Sequence, residues 1–196
     1  MPRPPVTVER LRDLVAAGQV RVGAGVELVA GVLLTAHLPE PAVVAAVTDL
    51  AAALERALPD HRVAVREAVA LGDRDLLRPE VALLRPVWGA DGVARACWPS
   101  AGFTPAAALA LAVFVGEAEA PLRWRAHRCA RAGVAEAWTL AVGEGTASRW
   151  RQPWEGRYLR RDPLPAGEAV APDAAPDRPV IAWRCRGAAA VGRAGT

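Results

Sequence analysis

The run Ala107-Ala-Leu-Ala-Leu-Ala-Val-Phe-Val-Gly116 constrains the fold more than any other stretch of this chain. It has no polar side chain on either alternating face, so as a strand it must be covered on both sides. Pro121 then opens a helix that Gly133 closes, with Leu122, Ala126, Cys129 and Ala130 on one stripe. Glu136 to Val142 follows as a second strand, and Gly143-Glu-Gly145 as a turn. A doubly buried strand, a helix and another strand call for a central sheet with helices packed against it.

The flanking segments agree with that layering. Thr7 caps a short helix reaching Ala17, with Gly18 as its stop, and Val8, Leu11, Leu14 and Val15 form its apolar stripe. Val26 to Leu34 reads as a hairpin turning at Ala30-Gly31. Pro39 to Leu58 is the longest helical segment, with Pro41 in its first turn and Val43, Val47, Leu50, Leu54 and Leu58 facing inward. Arg62 to Leu71 and Pro79 to Leu84 are expected strands, and Arg85 to Pro105 an irregular loop. Ser148 to Gln152 and Arg157 to Arg160 suit a hairpin around Trp154-Glu-Gly156, and Val180 to Cys185 a last strand. The expected architecture is α/β of the α+β kind, a mixed central sheet flanked by helices, as one domain over 1–186 with a frayed tail at 187–196.

Half of the 196 residues are apolar, and the net charge of +3 permits a polyanionic partner without demanding one. Cys97, Cys129 and Cys185 form no CxxC pair, which argues against a zinc knuckle or a disulfide framework. The first residues lack the apolar segment of a signal peptide, and Pro105 to Gly116 is too short to span a bilayer. The expectation is a cytoplasmic protein with no membrane partner. All 24 basic residues are arginine. Asparagine is absent too, and Ile181, Tyr158 and Met1 are the sole residues of their kinds, a pattern that follows GC-rich coding.

Four segments in order carry a resemblance: Glu27-Leu-Val-Ala-Gly31, Leu77-Arg-Pro-Glu-Val-Ala-Leu-Leu84, Leu109 to Val115, and Arg125 to Val142 with Ala132-Gly-Val-Ala-Glu-Ala-Trp138. From about Val20 to Tyr158 the chain resembles the Uma-type restriction endonuclease family of the PD-(D/E)XK nuclease superfamily. The resemblance implies a restriction-endonuclease-like fold. In that family carboxylates hold Mg²⁺, which stabilises charge on the phosphate, beside a lysine that acts on water and the transition state. Glu27 matches the first family glutamate, Val32 replaces an acidic residue, and Glu80 stands where the family has aspartate. Phe114 falls on the catalytic glutamate and Arg125 on the lysine. Arginine clamps phosphate but does not exchange protons near neutral pH.

The resemblance therefore implies a nuclease fold without cutting, in a binding or regulatory role, with no cofactor. The competing implication is a divergent Mg²⁺-dependent DNA endonuclease using Glu27, Glu80 and Glu117 with Arg125, Glu27 and Glu80 being its metal ligands. In that version Glu117 or Glu119 supplies the carboxylate lost at Phe114. Weak nucleic-acid binding would fall to Arg125 and Arg128 on the helix, and to Arg149 and Arg151 in a segment that interleaves arginines with aromatics. Plainer readings stand beside these: a solvated helix face, and a hairpin whose arginines cover tryptophan rings. A homodimer through exposed Trp and Ala/Leu surface is a third possibility. His37, His61 and His127 are scattered, which disfavours a hydrolase triad.

Overall fold

The computed structural model describes residues 5–21, 25–35, 39–88, 94–95 and 103–183. Thr7 caps α1 (Val8–Ala16), its hydroxyl accepting from the Arg10 N–H at 3.1 Å. β1 (Val26–Val29) and β2 (Val32–Thr35) form the expected hairpin. Ala30 and Gly31 both take positive φ, which suits a two-residue turn matched to the twist of the strands. α2 (Pro41–Ala57) buries Val43, Val47, Leu50 and Leu54, with Leu58 buried just past its end.

The continuous strand expected over Arg62–Leu71 is divided. β3 (Arg62–Val65) and β4 (Val69–Gly72) lie in different sheets, because Arg66 adopts φ +54° and turns the chain. β5 (Asp75–Leu77) and β6 (Val81–Leu84) return antiparallel to them, so residues 62–84 form one hairpin bent across two sheets. The Arg66 N–H donates to the Glu80 carbonyl at 3.2 Å, which ties the two bends together. Within the expected loop, β7 (Val87–Trp88) pairs with β8 (Ala94–Arg95), and β9 (Thr104–Pro105) runs parallel to β4. A 3-10 turn at Ala106–Ala108 leads into β10 (Leu109–Gly116), then α3 (Glu119–Arg131) and β11 (Glu136–Ala141). α3 starts two residues before the expected Pro121. The Glu119 N–H at its first turn donates to the Glu144 carboxylate at 3.2 Å. β12 (Thr146–Trp154) and β13 (Arg157–Pro163) make a longer hairpin than expected, and β14 (Ala169–Val170) pairs with β15 (Val180–Ile181). The last strand is thus shorter than Val180–Cys185. Residues 184–196, including the expected tail, lie outside the described residues, as do His37, Cys97 and Cys185.

The larger sheet runs β13-β12-β11-β10-β6-β3, with β10 and β11 parallel and the other neighbours antiparallel. The second runs β2-β1-β5-β4-β9. As its composition requires, β10 is covered on both faces. Leu111, Val113 and Val115 pack with Trp138 and Leu140 under α2, while Ala112 and Phe114 pack with Leu122, Ala126 and Cys129 of α3. Each such large apolar side chain, once buried, contributes about 1.5–3 kcal/mol. Among the described residues no helix is long and apolar enough to cross a membrane.

Candidate functional site

Three sequence-predicted residues meet where the two sheets and α3 approach. Glu27 and Leu28 alternate on β1: Leu28 enters the core shared with α1, so Glu27 points to the other side, toward α3. Glu80 sits at the second bend of the long hairpin, one residue before β6, and its Oε2 accepts from the Val115 N–H at 3.1 Å. Arg125 comes from α3 and lies between them. Its Nη1 donates to both Glu80 oxygens at 3.1 and 3.2 Å, and its Nη2 to Glu27 Oε1 at 2.5 Å. Nη2 also donates to the Arg78 carbonyl, while the Arg78 N–H donates to Glu27 Oε1 at 2.8 Å. Beneath the guanidinium, the Phe114 ring centre is 4.6 Å from Arg125 Cζ.

The three charged side chains are only 11–15% exposed. Burial alone would lower the Arg125 pKa, but Glu80 and then Glu27 outweigh it and hold the guanidinium above its ordinary value. The site therefore contains a permanent cation with no basic lone pair to offer a substrate. One helical turn on, Arg128 pairs with Asp75, whose Oδ1 also accepts from the Ala30 N–H at 2.8 Å. The Arg128 guanidinium lies over Trp124, 5.1 Å from the ring centre.

Glu117 is placed elsewhere. Phe114 faces α3, whereas position 117 lies just past the end of β10. There Glu117 is exposed and lies over the turn after β11, where a methyl group on Gly143 would come within 2.5 Å of its Oε2. Glu119 stands in the first turn of α3 and pairs with Arg161 at 2.5 Å. Arg149 and Arg151 belong to a second ionic cluster. Arg149 donates to Glu136 at 2.5 Å and to Asp173 at 2.7 Å, and Arg151 to Asp162 at 2.5 Å and Asp173 at 3.4 Å. Glu136 is fully buried, and its carboxylate also accepts from Trp138 Nε1 and from the Asp173 N–H, each at 2.7 Å. Burial, above all, raises its pKa.

Arg78, Asp75, Glu136, Asp162 and Asp173 are the members of these clusters that sequence reasoning did not select. Glu136 sits inside the Ala132–Trp138 segment, which was the available signal; nothing local marks the other four. Cys129 offers no nucleophile, since burial pushes its thiol up to about 12. His127 meets the Trp150 ring edge-on at 5.5 Å.

A divalent metal fits this arrangement poorly. Both Glu80 oxygens and Glu27 Oε1 already accept from Arg125, the Phe114 ring lies beneath the guanidinium, and Glu117 stands beside Gly143. Hard cations such as Mg²⁺ demand an octahedron of oxygens. Among the described residues, no three His, Cys, Asp or Glu side chains converge to hold an ion.

No protein-family model matches the chain, and no curated protein matches it in sequence. Among solved structures it is similar to a "putative nuclease belonging to DUF820" from Anabaena variabilis. The TM-score is 0.61 at 13% identity, over 85% of this chain and 87% of that one. The fold is thus nuclease-like: mixed sheets flanked by three helices.

Proposed function

We propose that this protein is a non-cutting member of the nuclease-like fold, a degenerate relative of the Uma-type endonucleases, with a binding or regulatory role. The observation that carries the reading is Arg125. A single guanidinium contacts both Glu27 and Glu80 and rests on the Phe114 ring, so the protein's own cation compensates the two carboxylates. Two consequences follow from chemistry. A metal would have to compete with a tethered charge that is already desolvated, and water activation would lack a proton acceptor, because arginine stays protonated. The endonuclease alternative needs Glu117 to join Glu27 and Glu80, and its position over Gly143 weighs against that.

Arg125, Arg128, Arg149 and Arg151 all spend their guanidinium groups on carboxylates within the chain. Contact with nucleic acid is accordingly expected to be weak and salt-dependent, with a Kd of about 10 µM or more at physiological salt. The test of the main reading is incubation of the purified protein with supercoiled plasmid and Mg²⁺ or Mn²⁺. No nicking above the buffer control is expected. Cutting that disappears in Glu80→Ala would overturn the proposal.

A further inference from the structure

β2 is an outer strand of the five-stranded sheet, and among the described residues only β1 pairs with it. All four of its residues are exposed, including Val32 at 59%, Leu33 at 37% and Leu34 at 44%. Free edges are usually guarded by charge, proline or a bulge, since unpaired N–H and C=O groups recruit other strands. The other outer strands of the two larger sheets follow that rule. β13 carries Arg157, Arg160 and Arg161; β3 begins at Arg62 and ends against Arg66; β9 contains Pro105. β2, Val32-Leu-Leu-Thr35, has none of these guards, and its register with β1 is unbroken.

We propose that β2 is a self-association edge, through which two copies of this chain pair antiparallel and join their five-stranded sheets. The backbone sets the register. A two-residue turn makes Val29↔Val32 and Glu27↔Leu34 the pairs that exchange hydrogen bonds within the hairpin. The N–H and C=O groups of Leu33 and Thr35 then point outward. A two-fold axis through Leu34 places Leu33 opposite the second copy's Thr35 and satisfies all of those outward groups, about four bonds. Leu34 then meets its own copy as a non-hydrogen-bonded pair, where facing side chains come closest.

Composition and register fit a second copy of the same strand as the occupant. An uncharged strand meets itself without like-charge repulsion, whereas self-pairing of β13 would bring arginines together. The contact is short, so the dimer is a weak one, with a micromolar Kd. Leu34 shares a face with Glu27, which puts the axis beside the Arg125 cluster without using any residue of it.

Sedimentation velocity across about 1–200 µM tests this, the range bracketing a weak interface. A reversible monomer–dimer equilibrium is expected for the wild type. Leu33→Lys adds a charge to the edge and is expected to weaken the dimer about tenfold or more, a change of ~1.4 kcal/mol. Leu33→Pro removes an outward N–H but no bond to β1, and is expected to do the same while leaving the monomer's circular dichroism intact. Leu159→Lys, on the exposed side of β13, is expected to leave the dimer unchanged. A wild type that stays monomeric throughout, or a dimer indifferent to both Leu33 variants, would overturn the proposal.

Discussion

Arg125→Ala separates a structural cation from an incidental one. The wild-type guanidinium donates to three carboxylate oxygens and to the Arg78 carbonyl, in a site whose charged side chains are at most 15% exposed. Solvent therefore screens the loss little. Removing one member of a buried pair costs about 3–5 kcal/mol, because the remaining charges stay desolvated. With a urea slope of roughly 2–3 kcal/mol per molar, the unfolding midpoint falls by about 1–2.5 M. The same deletion removes the cation that Glu27 and Glu80 share and leaves a hole between the two carboxylates. Mn²⁺ at about 100 times its Kd for the variant would then restore about 2.7 kcal/mol, with little effect on the wild type. Neutralising the site with Glu27→Gln and Glu80→Gln alongside Arg125→Met is expected to recover most of the stability, since an uncharged site carries no desolvated ion. Equilibrium urea denaturation, with and without Mn²⁺, gives each value. A loss below about 1 kcal/mol, well under the range for a broken buried pair, would refute the reasoning. So would an equal gain from Mn²⁺ in wild type and variant.

Two further outcomes follow from local geometry. Gly31→Ala puts a side chain at φ +81° and a methyl 2.5 Å from Pro5 Cβ, so thermal unfolding should report a loss of about 1–3 kcal/mol; an unchanged melting temperature would contradict it. Burial lowers the pKa of His127, assisted by Arg123 and Arg131, and burial likewise lowers that of His61 against the pull of Asp60. The unfolded chain therefore takes up protons first as pH drops below about 6.5, and stability falls from there toward the folded pKa values. The buried Glu136, with its raised pKa, works in the opposite direction. Comparing the wild type with His127→Gln isolates the histidine: the variant should have the shallower decline between about pH 7.5 and 5.5, a window spanning the unfolded value, and an identical slope would sink the assignment.

What the sequence made legible was local. The stripe Val43, Val47, Leu50 and Leu54 is buried as its spacing demands, and β10 is covered on both faces because it has no polar face to expose. The division of β3 from β4 was hidden, since the left-handed residue is Arg66 and not a glycine. For Glu117 the only clue was its nearness to Phe114; it lies one residue past the end of β10, where the strand's alternation no longer fixes a face. The partners of Arg149 and Arg151 were out of reach. Asp173 is 24 residues beyond Arg149, past a complete hairpin, and only the folded chain brings its backbone onto Glu136. Glu27 and Glu80 were selected through motif order, but their sharing of one guanidinium depends on the angle at which α3 crosses both sheets.

That crossing has a mechanical side. Arg125 ties α3 to β1 and to the bend before β6, and Arg128 ties the same helix to β5, so two neighbouring turns of α3 rivet one sheet to the other. A protein that must admit a duplex between its walls needs a joint there that can yield. Here the joint is clamped by those ion pairs, which couple the β1–β2 hairpin to α3. The hairpin and the helix should accordingly open as one unit in hydrogen exchange, their amides losing protection together.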